Sequence, residues 1–154
     1  MNIDRFSKRM VELMPALIRG FARHEHNSLS RGEITLPQLW ALEHLARQSP
    51  NCPMHALAEL LHISRPAATG LINRLISQQL VRREADARDR RIVLVAITAK
   101  GRRALTNIWD QKQRMIVDIF GQISPSDRAH YLAILERVTA IASQAPRAKR
   151  RRQP

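Results

Sequence analysis

The chain has 154 residues, enough for one body with a real core that needs no disulfide or metal to hold it. Its single cysteine, Cys52, excludes an intramolecular disulfide framework, and no run approaches the ~18 apolar residues of a membrane span; with no secretory segment in view, the expectation is a cytoplasmic protein without a membrane partner. A net charge of +13, from 26 Lys and Arg against 13 Asp and Glu, points to a polyanion partner, with nucleic acid ahead of a membrane surface.

Phe6, Met10, Leu13, Met14, Leu17 and Phe21 recur at three- and four-residue steps and predict an N-terminal helix. Pro15 lies inside that pattern and predicts a kink or restart near Met14. The stripe is longer than a small core needs, which implies a partner helix. Ser28 to Thr35 reads as a loop with Gly32, and Thr35 reads as an N-cap with Gln38 as its capping-box mate. Ile34 and Leu39 stand where a hydrophobic staple closes, and the helix they open runs to about Arg47, before the breaker cluster Ser49-Pro50-Asn51-Cys52-Pro53. A short helix follows over Met54 to Leu61. After two residues Ser64 caps another, with Pro66 in its first turn and Ala67, Ala68, Leu71, Ile72 and Leu75 along it, to about Gln78. Two helices so tightly joined form a helix-turn-helix.

The period then changes. Val81 to Glu84 and Ile92 to Ile97 are short and β-branched, and the polar stretch between them makes the pair a hairpin. Thr98 is placed to cap a helix carrying Leu105, Ile108, Trp109, Met115, Ile116, Ile119 and Phe120, with Gly121 as its stop. Ser124, Pro125 and Asp127 start a last helix striped with Leu132, Leu135, Val138 and Ile141, and the basic stretch 145–154 reads as a disordered tail.

The helix–helix–hairpin segment carries the chemistry. A helix that enters the ~12 Å major groove of DNA needs small or polar residues in its first turns, and Ser64-Arg65-Pro66-Ala67-Ala68-Thr69-Gly70 supplies them. Ala58 lies where the paired helices cross too closely for a bulky side chain. An ordinary helical hairpin in a bundle is the competing reading, and the adjoining charge argues against it. Residues 65–103 hold ten cations against three anions, a net of +7, so over half of the excess sits in a quarter of the chain. Within the hairpin loop, Arg88, Arg90 and Arg91 suit a wing entering the minor groove, and Asp86 and Asp89 suit the positioning of those arginines.

These residues resemble the MarR (multiple antibiotic resistance regulator) family of bacterial winged-helix transcription regulators. The resemblance runs from the first helix to about Ser143. It rests on Leu57-Ala58-Glu59-Leu60-Leu61 with Ile63-Ser64, on Leu71 to Leu75, Leu80-Val81 and Arg83, on the wing Asp86-x-Arg88-Asp89-x-Arg91, and on the junction Ile97-Thr98-x-x-Gly101. It implies a mainly α fold with a small β-hairpin wing: a winged helix-turn-helix on a helical dimerisation base. The implied division is a dimerisation helix over 1–30, a DNA-binding lobe over 35–98, C-terminal dimerisation helices over 99–144 and the basic tail. The resemblance further implies a homodimer on double-stranded DNA, expected to act as a repressor at a pseudo-palindromic operator. By position, Ser64, Arg65, Thr69, Asn73 and Arg74 fall on the groove-facing helix, and Arg88, Arg90 and Arg91 on the wing. The chain departs from the family pattern at Gln79, where glycine usually precedes the first wing strand, and carries His62 in a turn where many helix-turn-helix proteins use glycine.

Relatives that bind small aromatic acids suggest an aromatic or phenolic effector, for which His24, Trp40 and His44 are the candidate contacts; packing in a core or dimer interface is the alternative for each. Cys52 sits in a Pro-bounded loop without a second cysteine, a poor redox sensor, and the six histidines offer no metal set beyond the pair His24 and His26. No cofactor is expected. The absence of a phosphate-binding glycine loop, of HExxH and of a supportable Ser/His/Asp arrangement argues against an enzyme. The rival function is a sequence-independent architectural nucleic-acid-binding protein that uses the same arginines on phosphates alone. The basic tail reads equally as a solubilising extension or as added phosphate contact.

Overall fold

The N-terminal apolar stripe forms α1, Ile3–His24, in the computed structural model, which describes residues 1–24, 31–47, 52–86, 89 and 92–144. Pro15 lies inside α1, and the helix continues through it without the expected restart. A proline removes one ladder hydrogen bond, a loss that 22 helical residues absorb. No residue of α1 is buried.

Helix α2, Leu36–Arg47, starts where its cap signals lie. The Thr35 N–H donates to Gln38 Oε1 at 2.8 Å, and the Thr35 hydroxyl donates to the same oxygen at 3.1 Å. Only the return half of a capping box is therefore made, and Gln38 is buried to make it. Ile34 and Leu39 flank the cap, both buried in the core as a staple requires. The breaker residues 49–51 lie outside the described residues, but Cys52–Pro53 corrects the loop expectation. It forms a two-residue strand, β1, paired antiparallel with a later strand through Cys52↔Val95 and Pro53↔Leu94. Proline is tolerated there because β1 is an edge strand.

Helices α3, Met54–Leu60, and α4, Arg65–Ser77, form the helix-turn-helix. Both end in the same left-handed device. His62 N–H donates to Glu59 O and Ile63 N–H to Ala58 O, each at 3.1 Å; Gln79 N–H donates to Ile76 O at 2.8 Å and Leu80 N–H to Leu75 O at 2.9 Å. These are Schellman closures, with His62 at φ 52° and Gln79 at φ 62°. The two positions where the sequence lacks the usual glycine are thus the two described non-glycine residues with positive φ, and each carries a backbone cost of roughly 1 kcal/mol.

Strands β2, Val81–Ala85, and β3, Val93–Ile97, complete an antiparallel sheet of order β1-β3-β2, in the register Val81↔Ile97 to Ala85↔Val93. Helix α5, Ala99–Phe120, follows Thr98. Its first turn lies so close to Leu80 that a Cβ on Gly101 would stand 2.1 Å from the Leu80 carbonyl oxygen. The core gathers Leu42, Leu45, Leu57, Ile72, Leu75, Val81, Val95 and Ile108, all fully buried.

The chain divides into two compact units, Met1–Met115 and Ile116 onward. In the second, Ser124 Oγ accepts from Asp127 N–H at 3.0 Å and donates to Asp127 Oδ2 at 2.6 Å, capping α6, Pro125–Gln144. Phe120 packs on Tyr131 with ring centroids 5.1 Å apart. No residue of α6 is buried, and Leu132, Leu135, Val138 and Ile141 are exposed. No helix among the described residues is long and apolar enough to cross a membrane. The tail 145–154 lies outside the description.

Gly101→Ala is expected to destabilise the fold by roughly 1–3 kcal/mol, because its methyl group meets backbone that cannot rotate away. Urea denaturation checks this, and an unchanged midpoint would show that the junction is looser than described.

Candidate nucleic-acid interface

Helix α4 presents the largest share of the predicted site. Ser64 accepts from the Ala67 N–H at 3.3 Å and so caps a helix whose inner side, Ala68, Ile72 and Leu75, is fully buried. At 100° per residue the outward crest is Pro66, Gly70, Asn73 and Ser77. It is nearly bare: nothing lies within 4 Å of a Cβ built on Gly70. Arg65 and Thr69 form one flank, toward the sheet, and Asn73 lies at the edge of the crest on that side. Arg74 lies on the other flank, in a cleft of about 390 Å³ shared with Ala67, Gly70, Thr35 and Gln38.

The basic excess sorts into two groups once partners are known. Arg82 is paired with Glu84 at 2.6 Å. Arg102 reaches the Ala46 carbonyl at 3.5 Å, and Lys100 reaches Gln79 Oε1 at 3.4 Å. These cations serve the fold. Arg65 and Arg74, by contrast, have no side-chain hydrogen bond or ion pair among the described residues, and both are exposed. Two uncompensated guanidinium groups thus flank a bare helix crest. The Thr69 hydroxyl donates to the Arg65 carbonyl at 3.0 Å and keeps acceptor capacity for an outside donor.

The hairpin tip is partly described. Asp86 Oδ1 accepts from the Asp89 N–H at 3.0 Å, while the Asp86 N–H donates to Ile92 O at 3.2 Å and the Ile92 N–H to Asp89 O at 2.9 Å. The Asp86 carboxylate therefore shapes the turn. Arg88, Arg90 and Arg91 lie outside the described residues.

The expected effector residues separate. Trp40 and His44 line one cleft of about 390 Å³ with Glu43, Arg47, Leu60, Leu61 and His62. His24 ends α1 and does not line it. Cys52 is buried, and burial pushes its thiol above the usual range, which disfavours the reactive thiolate. No group of three or more metal-ligating side chains occurs among the described residues.

Arg83 is a residue the candidate set left out. It shares a side of β2 with buried Val81, and its Nη2 donates to Asn73 Oδ1 on α4 at 2.8 Å. Strand alternation from Val81 was the signal that could have found it.

A helix-turn-helix with a basic antiparallel hairpin beside its second helix defines a winged-helix DNA-binding protein. Comparison with known proteins narrows the class. Residues 33–92 match the model of the MarR family. A protein of Thauera aromatica described as a transcriptional regulator for the hcr operon is 25% identical over 131 residues, 85% of this chain and 76% of its own length. The YusO protein of Bacillus subtilis has the same fold, with a TM-score of 0.75 at 17% identity over 94% of this chain and 100% of its own. BpsR of Bordetella bronchiseptica, whose DNA binding is regulated by 6-hydroxynicotinic acid, superposes with a TM-score of 0.57 at 21% identity, over 85% of this chain and 98% of its own. Residues 33–92 of the chain are thus similar to the MarR family of regulators, and the chain as a whole shares the fold of the solved structures.

Gly70→Ala is expected to raise stability by about 0.5–1 kcal/mol, since the methyl group enters open space in a helix that glycine weakens. Denaturation midpoints check this; a loss would mean that the crest is packed.

Proposed function

We propose that the protein is a homodimeric repressor that occupies a pseudo-palindromic operator in the cytoplasm and is released by a small aromatic acid. The observation that carries the DNA-reading part is the α4 crest, bare at Gly70 and flanked by Arg65 and Arg74, which have no partner among the described residues. A bare crest lets the backbone approach the base edges, and the flanking arginines then reach bases or phosphates at the groove walls. Ser64, Arg65, Thr69, Asn73 and Arg74 form this face. Arg88, Arg90 and Arg91 take the flanking minor groove, with the turn at Asp86 and Asp89 setting the direction of the loop.

Dimerisation is supported by two apolar stripes that this chain leaves uncovered. Phe6, Met10, Leu13, Met14 and Leu17 of α1 are each more than 40% exposed, as are Leu132, Leu135, Val138 and Ile141 of α6. Exposed stripes on this scale call for a partner, and a second copy supplies two-fold symmetry to match the operator. In this assignment 1–30 and 99–144 form the dimer base and 35–98 the DNA-binding lobe.

Release is supported by the Trp40–His44 cleft. An indole wall, the apolar Leu60 and Leu61, and the guanidinium of Arg47 suit an aromatic carboxylate, and His62 places the helix-turn-helix turn at the same cleft. A ligand there acts only through differential affinity for two lobe arrangements.

Selection from a randomised duplex library at about 0.15 M salt tests the reading. The expected product is an inverted repeat with half-sites about one helical turn apart. Repeating the selection with Arg65→Ala is expected to relax preference at one base position of each half-site, at a cost of roughly 1–3 kcal/mol on the original site. Retention without enrichment, vanishing as salt rises, would establish architectural binding instead. For the cleft, titration with benzoate-type acids is expected to change Trp40 emission and to lower operator affinity; a Trp40→Phe variant with the same emission change would place the ligand elsewhere.

A further inference from the structure

Arg82 and Arg83 are neighbours in sequence with opposite fates. Arg82 is paired with Glu84, whereas Arg83, on the other side of β2, crosses to α4 and donates from Nη2 to Oδ1 of Asn73 at 2.8 Å. The acceptor is a neutral amide. It fixes the direction of the guanidinium without cancelling its charge, as a carboxylate would. Among the described residues no acid pairs with Arg83. Arg83 lines a cleft of about 480 Å³ together with Arg65 and Thr69 of α4, His55 of α3 and Val93 of β3.

The geometry of the duplex says what such a cleft meets. A helix seated in the major groove and a hairpin loop in the adjacent minor groove straddle the sugar–phosphate strand that separates the two. The seam between α4 and the sheet therefore faces backbone oxygens and no base edge. We infer that Arg83 is a contact to that backbone phosphate, and that Asn73 is the residue that positions Arg83 and not a reader of bases. Held in advance, the guanidinium loses less side-chain freedom on binding, and its planar fork stays aimed at the phosphate. This refinement rests on the DNA-binding reading, and it moves Asn73 from base recognition to support of a phosphate clamp.

The test is a double-mutant cycle in the full chain, with Arg83→Ala, Asn73→Ala and the double variant. Binding is measured by fluorescence anisotropy on the selected operator and on a random duplex of equal length, over a salt series. Both residues are exposed, and unchanged thermal midpoints verify that the variants fold. Arg83→Ala is expected to weaken both duplexes by the same factor and to reduce the slope of log affinity against log salt by about 0.9 per bound subunit. Asn73→Ala is expected to weaken both duplexes equally, by a smaller factor, and to add nothing once Arg83 is gone. An unchanged salt slope in Arg83→Ala overturns the phosphate contact. An Asn73→Ala effect confined to the operator, or persisting at full size without Arg83, makes Asn73 a base reader and overturns the positioning role. A wild-type chain that binds both duplexes alike overturns the operator reading, while the cycle on random DNA still decides the clamp.

Discussion

One threonine closes two helices at once, and the helix-turn-helix with its hairpin depends on that closure. Thr98 Oγ1 donates to the Gln79 carbonyl at 2.7 Å and accepts from the Gly101 N–H at 3.0 Å, while the Thr98 N–H donates to Leu80 O at 3.0 Å. The carbonyls left open by the left-handed turn after α4 and the amides left open at the start of α5 are thereby satisfied by the same residue. The contact is possible only because Gly101 has no side chain where the Leu80 carbonyl passes. Helix α4, the strand β2 that begins the hairpin and the long helix α5 are thus tied at a single part-buried point. A displacement of α5 is carried to α4 through this joint, since packed elements bound at short range move together.

The two non-glycine left-handed residues show how this fold spends stability. His62 and Gln79 each occupy a turn that glycine would form without strain. The Schellman hydrogen bonds and the adjoining core, with Leu75, Leu80 and Val81 buried beside Gln79, outweigh a backbone cost of roughly 1 kcal/mol at each position. Tertiary context therefore overrides a local preference that taken alone would argue for a different helix end.

Charge offers a similar lesson. The excess of +7 over residues 65–103 pointed to nucleic acid, but a count cannot say which cations are free to bind it. The structure commits Arg82 to Glu84 and Arg102 to the end of α2, and leaves Arg65 and Arg74 without partners among the described residues. Arg83 falls between these groups, held by a neutral side chain with its charge intact. Sequence distance hid that pairing: residues 73 and 83 lie on different elements and meet only when the sheet folds against α4.

Much of this molecule follows from local rules acting on local residues. Helix starts at Ser64, Thr98 and Ser124 were legible because an N-cap oxygen answers an amide only three residues away, and the start at Thr35 because Gln38, three residues on, returns to the Thr35 N–H. The hairpin was legible because period-two alternation and β-branching persist over four or five residues. The α1 and α6 stripes were legible as apolar faces, yet periodicity reports only that a face must be covered and not by what. What needed the tertiary structure is what joins distant residues: the pairing of Cys52–Pro53 with β3, Thr98 bridging α4 to α5, and Asn73 holding Arg83. Each depends on where whole elements pack. That is decided by the shared burial of Leu42, Leu57, Ile72 and Val95 in one core, and no short window of the sequence contains it.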